Sequence, residues 1–213
     1  MGPALKHLPL ITAGSGVAIG LAHNAGLAPV AEASRLARAQ GHRAIVSGSC
    51  SNATNAQVAD FIARGGQVFA VDPLQLADGL DVVAQAVAWA QPRLAAGPVL
   101  IQATAQSNAV RDVQAQLGVA RAGEIVERAL ASIAYRLVQH GVGQLIIAGG
   151  ETSGACVQAL GVRSMRVGPQ IAPGVPWCHA SSPHAPAGSL HLALKSGNFG
   201  SVDFFMRAFE LLA

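Results

Sequence analysis

The chain has 213 residues, of which 51% are hydrophobic and only 12% are charged, with a formal net charge of +3. This length is enough for one domain with a sizeable buried core. Such a low charged fraction is unusual for a free-standing surface, so we expect one face to contact another domain or subunit. The basic residues form no run and no aromatic-studded stripe, which argues against a nucleic acid partner and leaves small anions as candidate ligands.

The cysteines and the apolar segments exclude several other classes of protein. Cys50, Cys156 and Cys178 are widely spaced and form no CxxC or Cys/His pattern, so we predict free thiols in a reducing compartment and no metal site. No apolar run approaches the roughly 18 to 20 residues that a membrane-spanning helix needs. The apolar stretch near the start is interrupted at residues 14–16 and lacks a clean cleavage site. We therefore expect a cytoplasmic protein with no membrane partner.

The predicted elements alternate between strand and helix along most of the chain. Apolar runs predict strands at residues 8–12, 43–49, 67–73, 98–104, 144–150 and 190–195, with another near 164–168. Helical spacing is found at residues 28–41, 52–66, 78–97, 122–141, 152–161 and 201–213. Fully apolar strands alternating with helices of 10 to 20 residues predict an α/β fold, a mostly parallel sheet with helices on both faces. No repeat or linker divides the chain, so residues 1–213 are predicted to form a single domain.

Three turns rich in glycine and small polar residues follow predicted strands. They are SGSCSNAT at residues 47–54, GGETSG at 149–154 and KSGNFG at 195–200. The carboxyl ends of parallel strands meet at one edge of a sheet, where ligands commonly bind. Glycines allow a ligand to approach the backbone closely, and free N–H groups at a helix start attract anions. The three turns together predict a site for a polyphosphate.

Each turn also has a simpler interpretation. Ser51 or Asn52, and likewise Thr152 or Ser153, could serve only as helix N-caps. Glu151 is a poor N-cap, and it could lie near Mg²⁺ or a ligand hydroxyl, or be a solvated acid in the first turn of a helix. Lys195 could reach a phosphate or extend its ammonium into solvent at the strand end. The sequence leaves these alternatives open.

Several familiar motifs are absent. The chain has no GxxxxGK[ST] phosphate loop and no GxSxG nucleophile turn, which excludes the enzyme classes that depend on them. The segment GSGVAIG at residues 14–20 approaches GxGxxG, but its spacing is wrong and the nearest acid, Glu32, falls in a predicted helix. A nicotinamide site is therefore not predicted.

Four segments carry a resemblance to a known family. SGSCSNATNAQ, GGETSGACVQALGV, GPQIAPGVPW and ALKSGNFGSVDFF occur in this order and resemble the C-terminal, nucleotide-binding domain of the four-carbon acid sugar kinases. The Glu-Thr-Ser form of the second segment is most similar to the 3-oxo-tetronate kinase branch. The resemblance covers nearly the whole chain.

The resemblance implies ATP-dependent, Mg²⁺-assisted phosphorylation of the terminal hydroxyl of a four-carbon 3-oxo acid. Residues implied to touch the nucleotide are Ser49, Ser51, Gly149, Gly150, Glu151, Thr152, Ser153, Gly197 and Asn198, with Gly14, Ser15 and Gly16 lining the same cleft. The family's N-terminal domain, which carries the sugar-acid site and an Asp-rich motif expected to supply the catalytic base, has no counterpart here. The implied partners are therefore ATP or ADP, the acid sugar through that second domain, and the domain itself or further copies of the chain. The catalytic residues are not predicted within this chain.

Two other functions remain compatible with the residues. A non-catalytic phosphosugar-binding module, similar to sugar isomerase domains, also uses Ser- and Thr-rich loops at the end of a sheet. In a scaffold lobe, the glycine turns would be purely structural.

Overall fold

The computed structural model describes residues 2–14, 16–28, 30–103 and 115–212. Packing divides the chain into two units, residues 1–35 and residues 36–213. The predicted single domain stays a prediction, and each unit is described by itself.

The larger unit is built on one sheet. In its described part, seven strands follow the spatial order β2-β3-β1-β4-β7-β6-β5. Their bounds are β1 His42–Ser47, β2 Gln67–Ala70, β3 Val99–Gln102, β4 Val142–Ala148, β5 Met165–Ala172, β6 Val175–Ser181 and β7 Ser189–Lys195. The first five in spatial order, from β2 to β7, are parallel, and β6 and β5 extend the sheet antiparallel at one side.

Helices cover both faces of this sheet. Their bounds are α2 Asn52–Ala63, α3 Pro73–Ala77, α4 Val82–Ala90, α5 Val119–Gln139, α6 Gly150–Ala159 and α7 Phe204–Glu210, where α1 is the Gly16–Asn24 helix of the smaller unit. One buried core joins α4, α5 and α6 to the sheet, and a second core joins α2 and α7 to the opposite face. The central strands β1, β3 and β4 are largely apolar because both of their faces are covered. The predicted α/β fold is confirmed.

The register of three neighbouring strands aligns their carboxyl ends. Ser47, the last residue of β1, is the register partner of Ala148, the last residue of β4. Ala148 is in turn the partner of Lys195, the last residue of β7. The three glycine-rich turns therefore begin at the same level of the sheet, side by side. We call residues 47–54, 149–154 and 195–200 the carboxyl rim.

Two predicted elements near the start of the chain are wrong. Residues 8–12 have no regular secondary structure, because Pro9 lacks an N–H for a ladder and the exposed Leu8 and Leu10 find no core. The predicted helix at residues 28–41 is reduced to a single 3-10 turn, Ala31–Ser34, followed by extended backbone at Arg35. Short helices need a packed apolar face to be stable, and among the described side chains of this segment only Leu36 packs against the second core.

Strand β6 was not predicted from the sequence. Three prolines between residues 169 and 176 break the pattern of a strand. The structure instead forms a β5–β6 hairpin in which Ala172 pairs with Val175, and the turn between them is closed by Gly174 with a φ of +80°. Pro169 is tolerated because β5 is an edge strand, and Pro176 lies near the start of β6, where the register with β5 is irregular.

The smaller unit, residues 1–35, contains a 3-10 turn at Gly2–Leu5 and α1. None of the residues of α1 is buried. Among the described residues of the whole chain, we find no helix with both the length and the apolar character needed to cross a bilayer.

Candidate functional site

Backbone hydrogen bonds tie the three turns of the carboxyl rim together. The N–H of Gly149 donates to the carbonyl of Lys195 at 2.9 Å. The N–H groups of Gly48 and Ser49 both donate to the carbonyl of Ala148, at 3.0 and 3.2 Å. The turns after β1, β4 and β7 therefore form one continuous surface, as the sequence predicted.

Three hydroxyl groups cluster between the first and third turns. The hydroxyl of Thr54 lies 3.1 Å from those of both Ser49 and Ser51, which are 3.3 Å from each other. Ser51 and Thr54 both donate to the carbonyl of Gly197, at 2.6 and 3.0 Å. Ser49 and Ser51 stay partly exposed whereas Thr54 is fully buried. The cluster therefore combines two partly exposed serines with a buried threonine that joins the first turn to the third.

Ser51 also caps a helix, which was the simpler interpretation of this residue. Its side chain accepts a hydrogen bond from the N–H of Thr54 at the start of α2. Asp72 and Asp81 cap α3 and α4 in the same way. The hydroxyl of Ser51 therefore has a structural role in addition to any contact with a ligand.

The N-terminus of α6 has no side-chain cap, which is also true of α5 and α7 but not of α2, α3 and α4. Its N-cap residue is Gly149, and neither Thr152 nor Ser153 is the cap. The N–H groups at the first three helical positions have no acceptor within the helix. Gly149 has a φ of +126°, and a Cβ there would come within 2.9 Å of the Thr152 hydroxyl. Glycine is therefore required at the entry to α6, and the N–H groups that follow make this a candidate position for binding an anion.

The residues of the first turn of α6 differ in their burial. Gly150 and Glu151 are exposed, whereas Thr152 and Ser153 are buried. The N–H of Ser153 is already bonded to the carbonyl of Gly149, and its hydroxyl has no hydrogen-bond partner in the described part of the chain. Gly150, Glu151 and Thr152 can thus offer backbone N–H groups to a ligand, while a contact from Ser153 stays a prediction.

A pair of carboxyl groups lies beside this helix start. Burial raises the pKa of Glu127, on α5, and the neighbouring charge and hydrogen bond of Glu151 raise that pKa further. Two acids held this close repel each other when both are ionised. A cation bound between them would remove the repulsion, so the pair is a candidate for contact with a divalent ion.

Lys195 does not adopt the solvent-extended arrangement considered from the sequence, and its contact with a phosphate stays a prediction. Its side chain is fully buried, so the ammonium does not extend into solvent. Nζ donates to the Thr54 hydroxyl at 2.9 Å and to the carbonyls of Gly197 and Ser196 at 3.0 and 3.3 Å. Burial lowers the pKa of this lysine from 10.5 to about 8. Lys195 therefore supports the third turn from inside.

The remaining predicted residues are placed as follows. Gly197 is partly exposed and Asn198 is exposed, both in the third turn. Gly14 and Gly16 are exposed residues of the smaller unit, and Ser15 lies outside the described residues. A role for residues 14–16 beside the carboxyl rim stays a prediction.

Some of the residues that the structure brings together were not predicted. Thr54 lies in the first of the three glycine-rich turns but was not predicted as a site residue. Its hydroxyl contacts those of both Ser49 and Ser51. Glu127 gave no signal because it is one of several charges on a long amphipathic helix.

In the described residues no group of three or more His, Cys, Asp or Glu side chains could hold a metal ion. A cavity of about 400 Å³ lies at the amino ends of β4 and β7, the end of the sheet opposite the carboxyl rim, and is lined in part by Gly143 and His191.

Comparison with known proteins shows which family this chain belongs to. The sequence profile of the nucleotide-binding C-terminal domain matches residues 44–205, a range that includes all three turns. The chain belongs to this nucleotide-binding C-terminal domain family.

Two curated relatives and one solved structure align with the whole of this chain. The 3-oxo-tetronate kinases of Burkholderia multivorans and Cupriavidus necator are 51% and 48% identical over 216 and 219 residues, covering 100% of this chain and 49% of each relative. A Haemophilus influenzae protein of known crystal structure is 34% identical with a TM-score of 0.79, covering 100% of this chain and 50% of that protein. The chain therefore spans about half the length of the curated relatives that it matches.

Proposed function

We propose that this chain is the nucleotide-binding half of an ATP-dependent kinase that phosphorylates the terminal hydroxyl of a 3-oxo-tetronate. The observation that supports it best is the carboxyl rim, where three turns are joined by hydrogen bonds beside an uncapped helix N-terminus. The rim lies within the range matched by the nucleotide-binding family. The relatives named as 3-oxo-tetronate kinases match the chain over its whole length, which supports the substrate class.

The rim supplies what phosphoryl transfer requires of a nucleotide site. In the reaction, the terminal hydroxyl oxygen of the acid bonds to the γ-phosphorus of ATP, the bond from that phosphorus to the β–γ bridging oxygen breaks, and ADP leaves. Catalysis of this step depends mainly on positioning and on stabilising charge. The N–H groups of residues 150–152 and the hydroxyls of Ser49 and Ser51 would hold the phosphates. The base that accepts the hydroxyl proton is assigned to no residue of this chain.

Mg²⁺ fits the chemistry of the same edge. Its preferred ligands are carboxylate and phosphate oxygens, and Glu127 and Glu151 place two carboxyl groups together beside the start of α6. When bound, the ion would offset part of the negative charge of the phosphates. We assign these two residues as the protein groups nearest to it.

We also propose that the smaller unit contacts the substrate-binding part of the enzyme. Leu10 and Ile19 are 82% and 84% exposed, and Leu27 and Val30 are also largely exposed. Several exposed apolar side chains in so short a segment are typical of a surface that binds another domain. A second copy of the chain would be an alternative occupant.

Nucleotide binding can be tested by thermal unfolding of the chain with ligands. At a concentration of MgADP or MgATP one hundred times its Kd, binding adds about 2.7 kcal/mol to the free energy of unfolding. For a chain of this size that corresponds to a rise in Tm of about 5 to 10 °C. The same assay is run with sugar phosphates in the absence of nucleotide.

The other two functions give different results in this assay. Stabilisation by a sugar phosphate but not by adenine nucleotides would replace the proposal with a phosphosugar-binding module. No stabilisation by either class of ligand would leave a structural lobe and contradict nucleotide binding.

A further inference from the structure

Lys195 is a buried cation held entirely by neutral groups. It is the last residue of β7, and the three protons of its ammonium meet three acceptors, the Thr54 hydroxyl and the carbonyls of Ser196 and Gly197. The carbonyl of Gly197 also accepts from Ser51. One buried ammonium thus fixes both the backbone of the third turn and the hydroxyl cluster of the first.

The described elements packed around Lys195 offer no counter-charge. β4 carries no charged residue, and β6 has only Cys178 and His179 as titratable groups. Asp60, on α2, is paired with Arg64 at 2.8 Å, and Glu151, on α6, interacts with Glu127. Burial, with no charged neighbour, accounts for the lowered pKa of the lysine. A buried charge without a charged partner is costly, so an anion bound at the rim would interact favourably with this ammonium.

We propose that Lys195 is a positioning residue of the nucleotide site, whose buried ammonium orients the Gly197 carbonyl and the Thr54 hydroxyl and becomes the counter-charge of the bound phosphates. This inference rests on the proposed nucleotide-binding function and extends it to a residue that does not touch the ligand. An anion nearby favours the charged form of a lysine. Nucleotide binding is therefore coupled to proton uptake at this side chain.

The ligand-free chain should already show the linkage through its stability. The pKa of Lys195 is about 8 in the folded chain, below the ordinary value of 10.5. Between these values the unfolded chain binds the proton that the folded chain has lost, so Lys195 contributes a rise in the free energy of unfolding from about pH 8 to about 10.5. Burial raises the pKa of Cys156 from 9.0 to about 12 and opposes this rise above about pH 9, so the contribution of Lys195 is measured as the difference between the wild-type chain and Lys195→Met. Below pH 8 both states are protonated and this contribution is flat. Lys195→Met should abolish the rise.

The direct test uses the fact that the chain has two lysines, Lys6 and Lys195. With lysine labelled at its side-chain nitrogen and ε carbon, NMR titration follows each ammonium separately, and Lys6→Met assigns the signals. We expect the pKa of Lys195 to rise by at least about one unit when ADP is bound. The affinity for ADP should weaken as pH increases through the pKa of the free chain.

Two variants complete the experiment. Lys195→Met should lower ADP affinity by about tenfold or more and remove the pH dependence, whereas Lys6→Met should do neither. The wild-type titration needs no variant, so it decides the matter even if Lys195→Met does not fold. ADP binding with an unchanged pKa at Lys195 would overturn this inference and leave the proposed function standing. Absence of ADP binding to the wild-type chain would overturn both.

Discussion

Replacement of Gly197 by alanine is expected to lower the affinity for ADP at least about tenfold, which is about 1.4 kcal/mol. A Cβ at this position would lie 2.9 Å from the Ser49 hydroxyl oxygen and 3.1 Å from the Cβ and hydroxyl oxygen of Ser51. The third turn would have to move away from the first, which would break the 2.6 Å hydrogen bond from Ser51 to the Gly197 carbonyl. Isothermal titration calorimetry with MgADP measures the loss.

The matched control for this change is Gly97→Ala. A Cβ at Gly97 would have no atom within 4 Å, and this residue lies just before β3, at the opposite edge of the sheet from the rim. We expect this variant to bind ADP as the wild-type chain does. If Gly197→Ala binds within twofold of Gly97→Ala, the third turn is not part of the nucleotide site.

Gly150→Val is expected to have the second large effect, a loss of ADP affinity of about tenfold or more with the fold preserved. A Cβ at Gly150 would meet no atom within 4 Å, so valine causes no clash inside the protein. Its branched side chain would instead occupy the space in front of the free N–H groups of α6, where a phosphate would bind. Calorimetry gives the affinity, and circular dichroism checks the helix content.

Gly154→Val provides a control in the same helix. Gly154 is also exposed, and a Cβ there also has open space around it, but it lies one turn further from the start of α6. Both variants place a β-branched residue at a glycine of one helix, so their helix propensities change alike. Equal ADP affinities for the two variants would contradict a phosphate site at the α6 N-terminus.

The sequence was informative about the parallel part of the fold for a physical reason. β1, β3 and β4 are buried on both faces, so they read as apolar runs, and those of β1 and β4 end in glycine turns. β6 could not be recognised because Pro173 and Pro176, just before and near its start, normally exclude a strand but are tolerated where β6 pairs irregularly with β5. The segment at residues 28–41 has helical spacing but little core to pack against, and local propensity alone did not make it a helix.

The candidate site was predictable in position more than in detail. Side chains such as Ser51, and turns such as that at Gly149, stand out because polar residues and glycines follow buried strands. The role of Lys195 depends on how deeply its side chain is enclosed, and its partner Thr54 in the first turn is 141 residues away along the chain. Spacing in the sequence carries no information about such a contact. Glu127 meets Glu151 only because α5 packs beside α6, which the sequence did not specify.

The central claim is that the carboxyl rim binds the phosphates of a nucleotide, and mapping of backbone amide shifts by NMR tests it most directly. When MgADP is titrated into the nitrogen-labelled chain, we predict that the largest shifts fall at residues 48–54, 149–153 and 195–199. Unchanged amides in these turns, with the shifts concentrated around Gly143 and His191 at the opposite edge of the sheet, would contradict the claim.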